Sequence, residues 1–426
     1  MKRCGLVLVV LLLFSLLVPS LAFAQTTIKW WHWNAPERQA YFEPLLARFE
    51  KETGIKVEAE FVGWADLKEK LILSVAGGVA PDVTAVSSAW GDEVGEKGAF
   101  LDLTKLVTRD KAEFKPVFPT AFALWKTAKG EQYAFPFDLD IPALFYNKEL
   151  FDAAGIAYPT DKWTWDDMLK AAIALTKDTN GDGQPDQYGF TTWYFHWATL
   201  VWANGGSLLT PDGKKPNLNT PEARQALEFY RKIFAHNVSC DMTNAKRLGS
   251  PHPPALWKAG KIGMMPAGAW APSIWMYDTD KKQYVMDFDV AHMPLSPKGK
   301  RAVQMDGQGM AILANSKNVE AAWRFVKFLA CVDVQTMSGR DLGQFPIRRD
   351  VALTEAFLPP DTPPANKKAF VEVAEYAYAY PKVPRWKDAY KIINSEVAKY
   401  AVGNQSLDEA LANIEKLVPP ALAGTQ

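Results

Sequence analysis

Cysteine is nearly absent from this chain: there are three, and Cys4 falls in the first 24 residues, leaving Cys240 and Cys331. A disulfide-stapled framework is therefore excluded, and those two either pair with each other in an oxidising compartment or remain free thiols. Histidine is also scarce, and His32, His196, His236, His252 and His292 are scattered without metal-ligand spacing. Charge of one sign is missing, with 48 basic against 48 acidic residues, which gives no support to nucleic-acid binding. After the N-terminus no run of 18 apolar residues occurs, so no spanning helix is expected there. The chain has no Gly-x-Ser-x-Gly, no His-Glu-x-x-His and no phosphate loop, and Gly307-Gln308-Gly309 alone is not a nucleotide fingerprint. Internal repeats and low-complexity linkers are lacking too.

What is present begins with a leader. Lys2 and Arg3, the apolar run Leu6 to Val18, and Ala22-Phe23-Ala24 before Gln25 read as a cleaved secretion signal over residues 1–24, with a periplasmic or extracellular destination. That apolar core is shorter than the roughly 20 residues a membrane anchor needs. A chain of 426 residues exceeds what one core usually organises, so two domains are expected. Residues 27–33, 55–61 and 81–86 alternate as strands around helical stretches 36–53 and 66–75, which predicts an α/β unit with a largely parallel sheet. The later chain is mainly helical, over 165–176, 221–235, 254–259, 319–331 and most of 366–418.

Residues 133–156 are the most informative stretch. Asp138 and Asp140 stand at alternate positions of an apolar strand, hence on one face, and Pro136 and Pro142 bracket them as at an edge or crossing. The segment then turns helical at Asn147 and stops at Gly155, as a chain passing from one lobe to another would. Such paired acids can hydrolyse glycosides, but accepting hydrogen bonds from a ligand is the simpler role.

Two further constellations stand out. Asp178, Asn180, Asp182, Gln184 and Asp186, with Gly183 at the tight turn, match the first nine positions of a calcium loop, although Gly189 replaces the final glutamate. A structural Ca2+ clamp is expected there, a solvated glycine-rich turn being the other reading. Tryptophan is abundant, with 16 residues, and Trp33, Trp64, Trp90, Trp193, Trp197 and Trp270 fall at predicted strand ends or loops. The carboxyl ends of strands face the crevice in an open α/β sheet, and flat rings beside Asp, Asn and Ser oxygens suit a sugar. Trp165 and Trp323, at helical core spacing, are assigned to packing.

Ile28 to Trp33, Pro81-Asp82-Val83, Gly98 to Leu103, Tyr133 to Ile156, Trp257 to Gly268, Gly307 to Ile312, Ala321 to Leu329 and Ser406 to Leu411 follow one another in an order that resembles the extracellular solute-binding proteins of carbohydrate ABC importers, the wider maltose-binding-protein family. The resemblance spans essentially all of the chain after the leader. It implies a two-lobed α/β fold of the type II periplasmic binding class, joined by crossing hinge strands, with no enzymatic activity. One lobe would take 25–138 and 302–345, the other, more helical, 139–301 and 346–426. On matching positions it implies a cleft formed by Trp33, Asn34, Trp64, Ser88, Trp90, Asp138, Asp140, Trp193, Trp197, Gly268, Trp270, Asp306 and Gly307, with Arg348 at the rim and Trp386 and Tyr390 as late aromatic contacts. The implied partners are a sugar or oligosaccharide and a membrane permease, with a monomeric state and no nucleic acid. A glycerol phosphodiester, polyamine or cationic osmolyte is the alternative ligand class, and a secreted glycosidase the alternative function.

Overall fold

The computed structural model describes residues 25–33, 36–278 and 280–424, with the side chains of 36–38, 64 and 65 outside that description. The leader, Asn34 and the Trp64 ring therefore lie outside the described residues. From the start of the described chain the principal elements are β1 (Thr27–Trp33), α1 (Pro36–Thr53), β2 (Lys56–Val62), α2 (Trp64–Ala76), β3 (Val83–Ser87), β4 (Phe135–Asp140), β5 (Ala143–Asn147), α3 (Lys148–Ala154), α4 (Trp165–Leu175) and β6 (Tyr188–Phe190). They are followed by α5 (Trp197–Ala203), α6 (Pro221–Ala235), β7 (Ile262–Ala267), β8 (Phe288–Ala291), β9 (Val303–Gln304), β10 (Asp306–Ile312), α7 (Val319–Leu329), α8 (Val332–Leu342) and β11 (Phe345–Pro346). The last are β12 (Ala377–Tyr378), α9 (Trp386–Ala401) and α10 (Leu407–Ala423).

Two sheets organise these elements. The first has six strands in the order β11-β4-β10-β3-β1-β2, and the second has four, β8-β5-β7-β6. Parallel pairing in the first sheet is confined to β1, β2 and β3. β10 runs antiparallel to both β3 and β4, so the expected largely parallel sheet is only half of it. The reason is topological: β10 returns from the second lobe, and a returning strand need not obey the crossover rule that keeps βαβ strands parallel.

The chain leaves the first sheet at Asp140 and enters the second at Ala143, so the passage is only Ile141-Pro142. Pro136 is tolerated inside β4 because β11 pairs only with Asp138 and Leu139, leaving the edge beside Pro136 unpaired. Beyond β5, the Asn147 side chain accepts from Leu150 N and caps α3, and Gly155, at φ +66°, ends it in the left-handed conformation. A second passage runs through β9 and β10, and β12 pairs with β9 beside it, Val303 with Ala377 and Gln304 with Tyr378. Residues 347–352 still belong with the first sheet, since Phe118 N donates to Ile347 O and Arg349 N to Pro116 O. The chain thus recrosses after the expected boundary at 345. Cys240 and Cys331 are free thiols.

α4 begins with a capping box between Thr164 and Asp167 and lies directly on β6. There Gly189 permits contact between backbones: a Cβ at that position would stand 1.9 Å from Ala172 O. This also explains why no glutamate closes the aspartate-rich loop at its twelfth position, since that residue is buried in a strand. Replacing Gly189 by Ala is expected to destabilise the protein by about 3 kcal/mol, measured as a lower urea midpoint. An unchanged midpoint would show that helix and strand are not in backbone contact.

Candidate functional site

The carboxyl ends of β1 and β3, the end of β4 and the start of β10 meet the loops after β6 and β7 across the gap between the lobes. Two cavities of about 450 and 610 Å³ lie there and share Ser88, Ala89, Tyr194 and Asp306, so they form one cleft. The inner cavity is lined by Trp33, Asp138, Asp140, Trp270 and Gly307 among others. The outer one takes Trp193, His196, Trp275, Tyr380, Trp386 and Tyr390, with Lys382, Lys387 and Lys391 at its mouth.

Three carboxylates define the polar part. β4 and β10 are antiparallel, with Asp306 paired to Asp140 and Gln308 to Asp138, so the strand register itself brings the acids together. Asp306 accepts from Ser88 Oγ at 2.9 Å and from Gln304 Nε2 at 2.7 Å. Ser88 is fixed in turn by Gly307, whose N–H donates to its Oγ at 3.1 Å. Asp138 accepts from the Gln308 N–H at 2.7 Å. Asp140 reaches the other lobe, where Trp270 Nε1 donates to it at 2.9 Å and the Tyr194 hydroxyl stands nearby.

Two glycines make that approach possible. A Cβ on Gly268 would stand 2.1 Å from Asp140 Oδ1 and 2.4 Å from Trp270 Nε1, and one on Gly307 would stand 2.5 Å from Asp138 O. The Trp270 ring packs edge-on against Trp275 and Tyr194 with centroids 4.7 and 5.8 Å away. At the outer end Tyr380, Trp386 and Tyr390 form an aromatic cluster with centroids 4.8 to 5.8 Å apart, and Tyr380 donates to the Tyr390 hydroxyl at 2.8 Å.

The structure redistributes several residues expected in the cleft. Trp90 is buried in the first lobe, its indole N–H without a partner, because the turn after β3 points the ring into the core. Trp197 is buried behind the cleft, donates to Asn394 Oδ1 at 3.1 Å and stacks on the rear of Tyr390 at 6.1 Å, so it supports a lining ring without lining the cavity. Arg348 is not at the rim: it is buried, and its guanidinium is held by Asp350 through bonds of 3.0 and 2.8 Å. The segment after β11 turns back onto the first lobe and carries Arg348 with it.

Tyr194, His196, Trp275, Tyr380 and the lysines at the mouth were not expected there. Tyr194 lies in sequence between two predicted tryptophans, a signal that was available. Lys382 was not legible, because its role depends on a contact 290 residues away: its ammonium binds both oxygens of Asp92, at 3.1 and 3.0 Å, and the Leu124 carbonyl at 2.8 Å.

The aspartate-rich loop is closed on itself. Asp178 accepts from the amides of Gly181 at 2.7 Å and Gly183 at 2.8 Å, Asn180 from Asp182 N at 2.9 Å, Asp182 from Gln184 N at 2.8 Å, and Asp186 from Thr179 Oγ1 at 2.7 Å. Among the described residues no three His, Cys, Asp or Glu side chains converge on one centre. Asp178, Asn180, Asp182 and Asp186 thus each accept from a local N–H or O–H within the loop.

Burial, then the Asp306 charge, pushes the Asp140 carboxyl up to about 7, against the bond donated by Trp270 and the nearby Tyr194 hydroxyl. Burial also raises Asp306, offset by His196, Ser88 and Gln304, while burial pushes His196 down. A folded-state value above the ordinary 3.8 means that folded Asp140 binds its proton more tightly than the unfolded chain does. Its stabilising contribution is complete below about 4 and is lost as pH rises through about 7. The ligand-free protein is expected to lose melting temperature over that window, and Asp140→Asn to flatten the decline while Asp306 and Asp138 remain. Parallel curves for the two proteins would refute the shift.

A cleft between two sheet-bearing lobes, crossed by short strands and lined by aromatic rings and acceptors, defines a two-lobed receptor of the type II periplasmic binding fold. The chain belongs to the bacterial extracellular solute-binding protein family, whose model matches residues 33–336. It is similar to a putative binding protein of Brucella abortus, 27% identical over 381 residues and covering 87% of each chain. It is similar also to the maltotriose-binding protein of Pyrococcus abyssi, 23% identical, covering 83% of this chain and 73% of that one. Among solved structures, an ABC substrate-binding protein of Listeria monocytogenes in complex with cycloalternan superposes with a TM-score of 0.78 at 26% identity, covering 94% of this chain and all of the other.

Proposed function

We propose that the protein is the sugar-binding component of an ABC importer: it is exported through a cleaved leader, takes a sugar or oligosaccharide into the interlobe cleft as a monomer, and presents the closed form to a membrane permease. The observation that carries this is the meeting of Trp33, Tyr194 and Trp270 with Ser88, Asp138, Asp140 and Asp306 in one cavity drawn from both lobes. Rings offer faces to the C–H surfaces of a sugar, and the carboxylates accept from its hydroxyls. Relatives named for maltotriose and cycloalternan support that ligand class. A phosphate-bearing solute fits less well, since among the described residues no Lys or Arg lines the inner cavity.

The role is binding rather than turnover. Burial pushes the Asp140 carboxyl up to about 7, which the sequence did not reveal, but its Oδ1 is engaged as an acceptor by the Trp270 indole. No reducing sugar should be released from an oligosaccharide panel, and release would restore the glycosidase reading. A thermal-shift screen across mono- and oligosaccharides should show a rise with one class of sugar, because a ligand that binds only the folded state stabilises it by mass action. Trp270→Ala should then weaken the identified sugar by about 2 kcal/mol or more, as for a desolvated anchor. Equal affinity would remove that ring from the site.

The calcium reading of the 178–186 loop, a structural clamp, rests on its spacing. Calorimetric titration of calcium into chelator-treated protein tests it. Heat of binding together with a raised melting temperature would support a clamp, and neither would appear if the loop is a self-capped turn.

A further inference from the structure

The two ends of the cleft differ in charge. Asp140 lines the inner cavity and Asp306 the neck shared by both, whereas Lys382, Lys387 and Lys391 line the outer one. At about 610 Å³ the outer cavity is in the range of a ligand site in its own right. α9 supplies part of its wall in two helical pairs, Trp386 with Tyr390 and Lys387 with Lys391, so a stripe of rings runs beside a stripe of ammoniums. Lys387 is half-buried and Lys391 exposed. The acids nearby have other partners: Asp92 is bound by Lys382 and the Tyr133 hydroxyl, and Glu93 by Lys68 at 2.6 Å. Glu96 and Asp388 line the adjoining groove, where Arg385 holds Asp388 at 3.0 Å. Burial lowers the Lys387 ammonium below the ordinary lysine range, outweighing the opposite pull of Asp92 and Glu93.

Resting on the sugar-receptor reading, we infer that the ligand is an acidic oligosaccharide: a neutral unit sits in the inner cavity, and a hexuronate unit lies over the Trp386 and Tyr390 rings with its carboxylate at Lys387 and Lys391. A pyranose stacked on an aromatic face carries its carboxylate at the ring edge, which is where the neighbouring stripe stands. Bonds from an ammonium to a carboxylate are charge-assisted and stronger than those it makes to a hydroxyl. The carboxylate also favours the charged form of Lys387, which burial disfavours. Placed the other way round, it would meet Asp140 and Asp306, which are direct cross-strand partners, and like charges so juxtaposed repel. The difference in charge between the two ends therefore sets the direction of the chain as well as its class.

The test is calorimetry at neutral pH with di-, tri- and tetrasaccharides of galacturonate, glucuronate and mannuronate, each beside its methyl ester, which keeps the shape and removes the charge, and its neutral hexose parent. At least one uronate should bind about tenfold more tightly than both of its counterparts, and added salt should narrow that gap. Lys387→Gln combined with Lys391→Gln should shrink the preference, with circular dichroism confirming the fold. If the esters or neutral parents bind as tightly as the uronates, the acidic-ligand inference is overturned and the sugar reading stands. A preference untouched by the double substitution overturns the placement of the carboxylate. If neither this set nor the wider sugar panel yields binding, the receptor reading itself fails.

Discussion

The hydrogen bond from the Trp270 indole to Asp140 is the contact on which the cleft depends. Its donor follows β7 in the second lobe and its acceptor ends β4 in the first, so it measures the distance between the lobes directly. It exists because Gly268 has no side chain, since a Cβ there would occupy the position of the carboxylate oxygen. Everything nearby is arranged around the same two strands. The register of β4 against β10 sets Asp306 beside Asp140, and the turn after β3 brings Ser88 to Asp306.

Contacts that hold the outer end differ in kind. Lys382 grips Asp92 from the segment before α9, in a partly exposed pair of the sort that contributes little net stability. Behind it, Tyr380, Trp386 and Tyr390 pack as a cluster backed by Trp197. The outer end is thus apolar contact with a weak electrostatic pin, and the inner end is acceptor-rich and desolvated. The short passage at Ile141-Pro142 and the β9-to-β10 passage limit relative motion to a hinge, so the two ends close together.

Local signals were the legible ones. Asn147 and Gly155 marked the helix after the crossing because a cap and a left-handed stop are written in single residues. Asp138 and Asp140 were readable as a pair because strand period places alternate residues on one face. Trp90 and Trp197 were not, since a position beyond a strand end does not say whether the ring turns to the core or to the cleft. The antiparallel entry of β10, the recrossing that buries Arg348, and the pairing of Lys382 with Asp92 depend on chain segments hundreds of residues apart. For the aspartate-rich loop, spacing does not report that its carboxylate oxygens accept from local N–H and O–H groups.

The same carboxylates set the energetics of closure. With the lobes apart, water solvates Asp140 and Asp306. Closing over an empty cleft removes that water and, among the described residues, returns the neutral donors Trp270, Ser88 and Gln304, leaving two adjacent acids in a low-dielectric space. Empty closure is thereby opposed, and the upward push that burial gives the Asp140 carboxyl has the same cause. A ligand rich in hydrogens reverses the balance, because its donors replace the lost water where the field is strongest. A ligand shifts a conformational equilibrium only by its differential affinity for the two states. The acids therefore act less as glue for the closed form than as a penalty that the correct ligand removes.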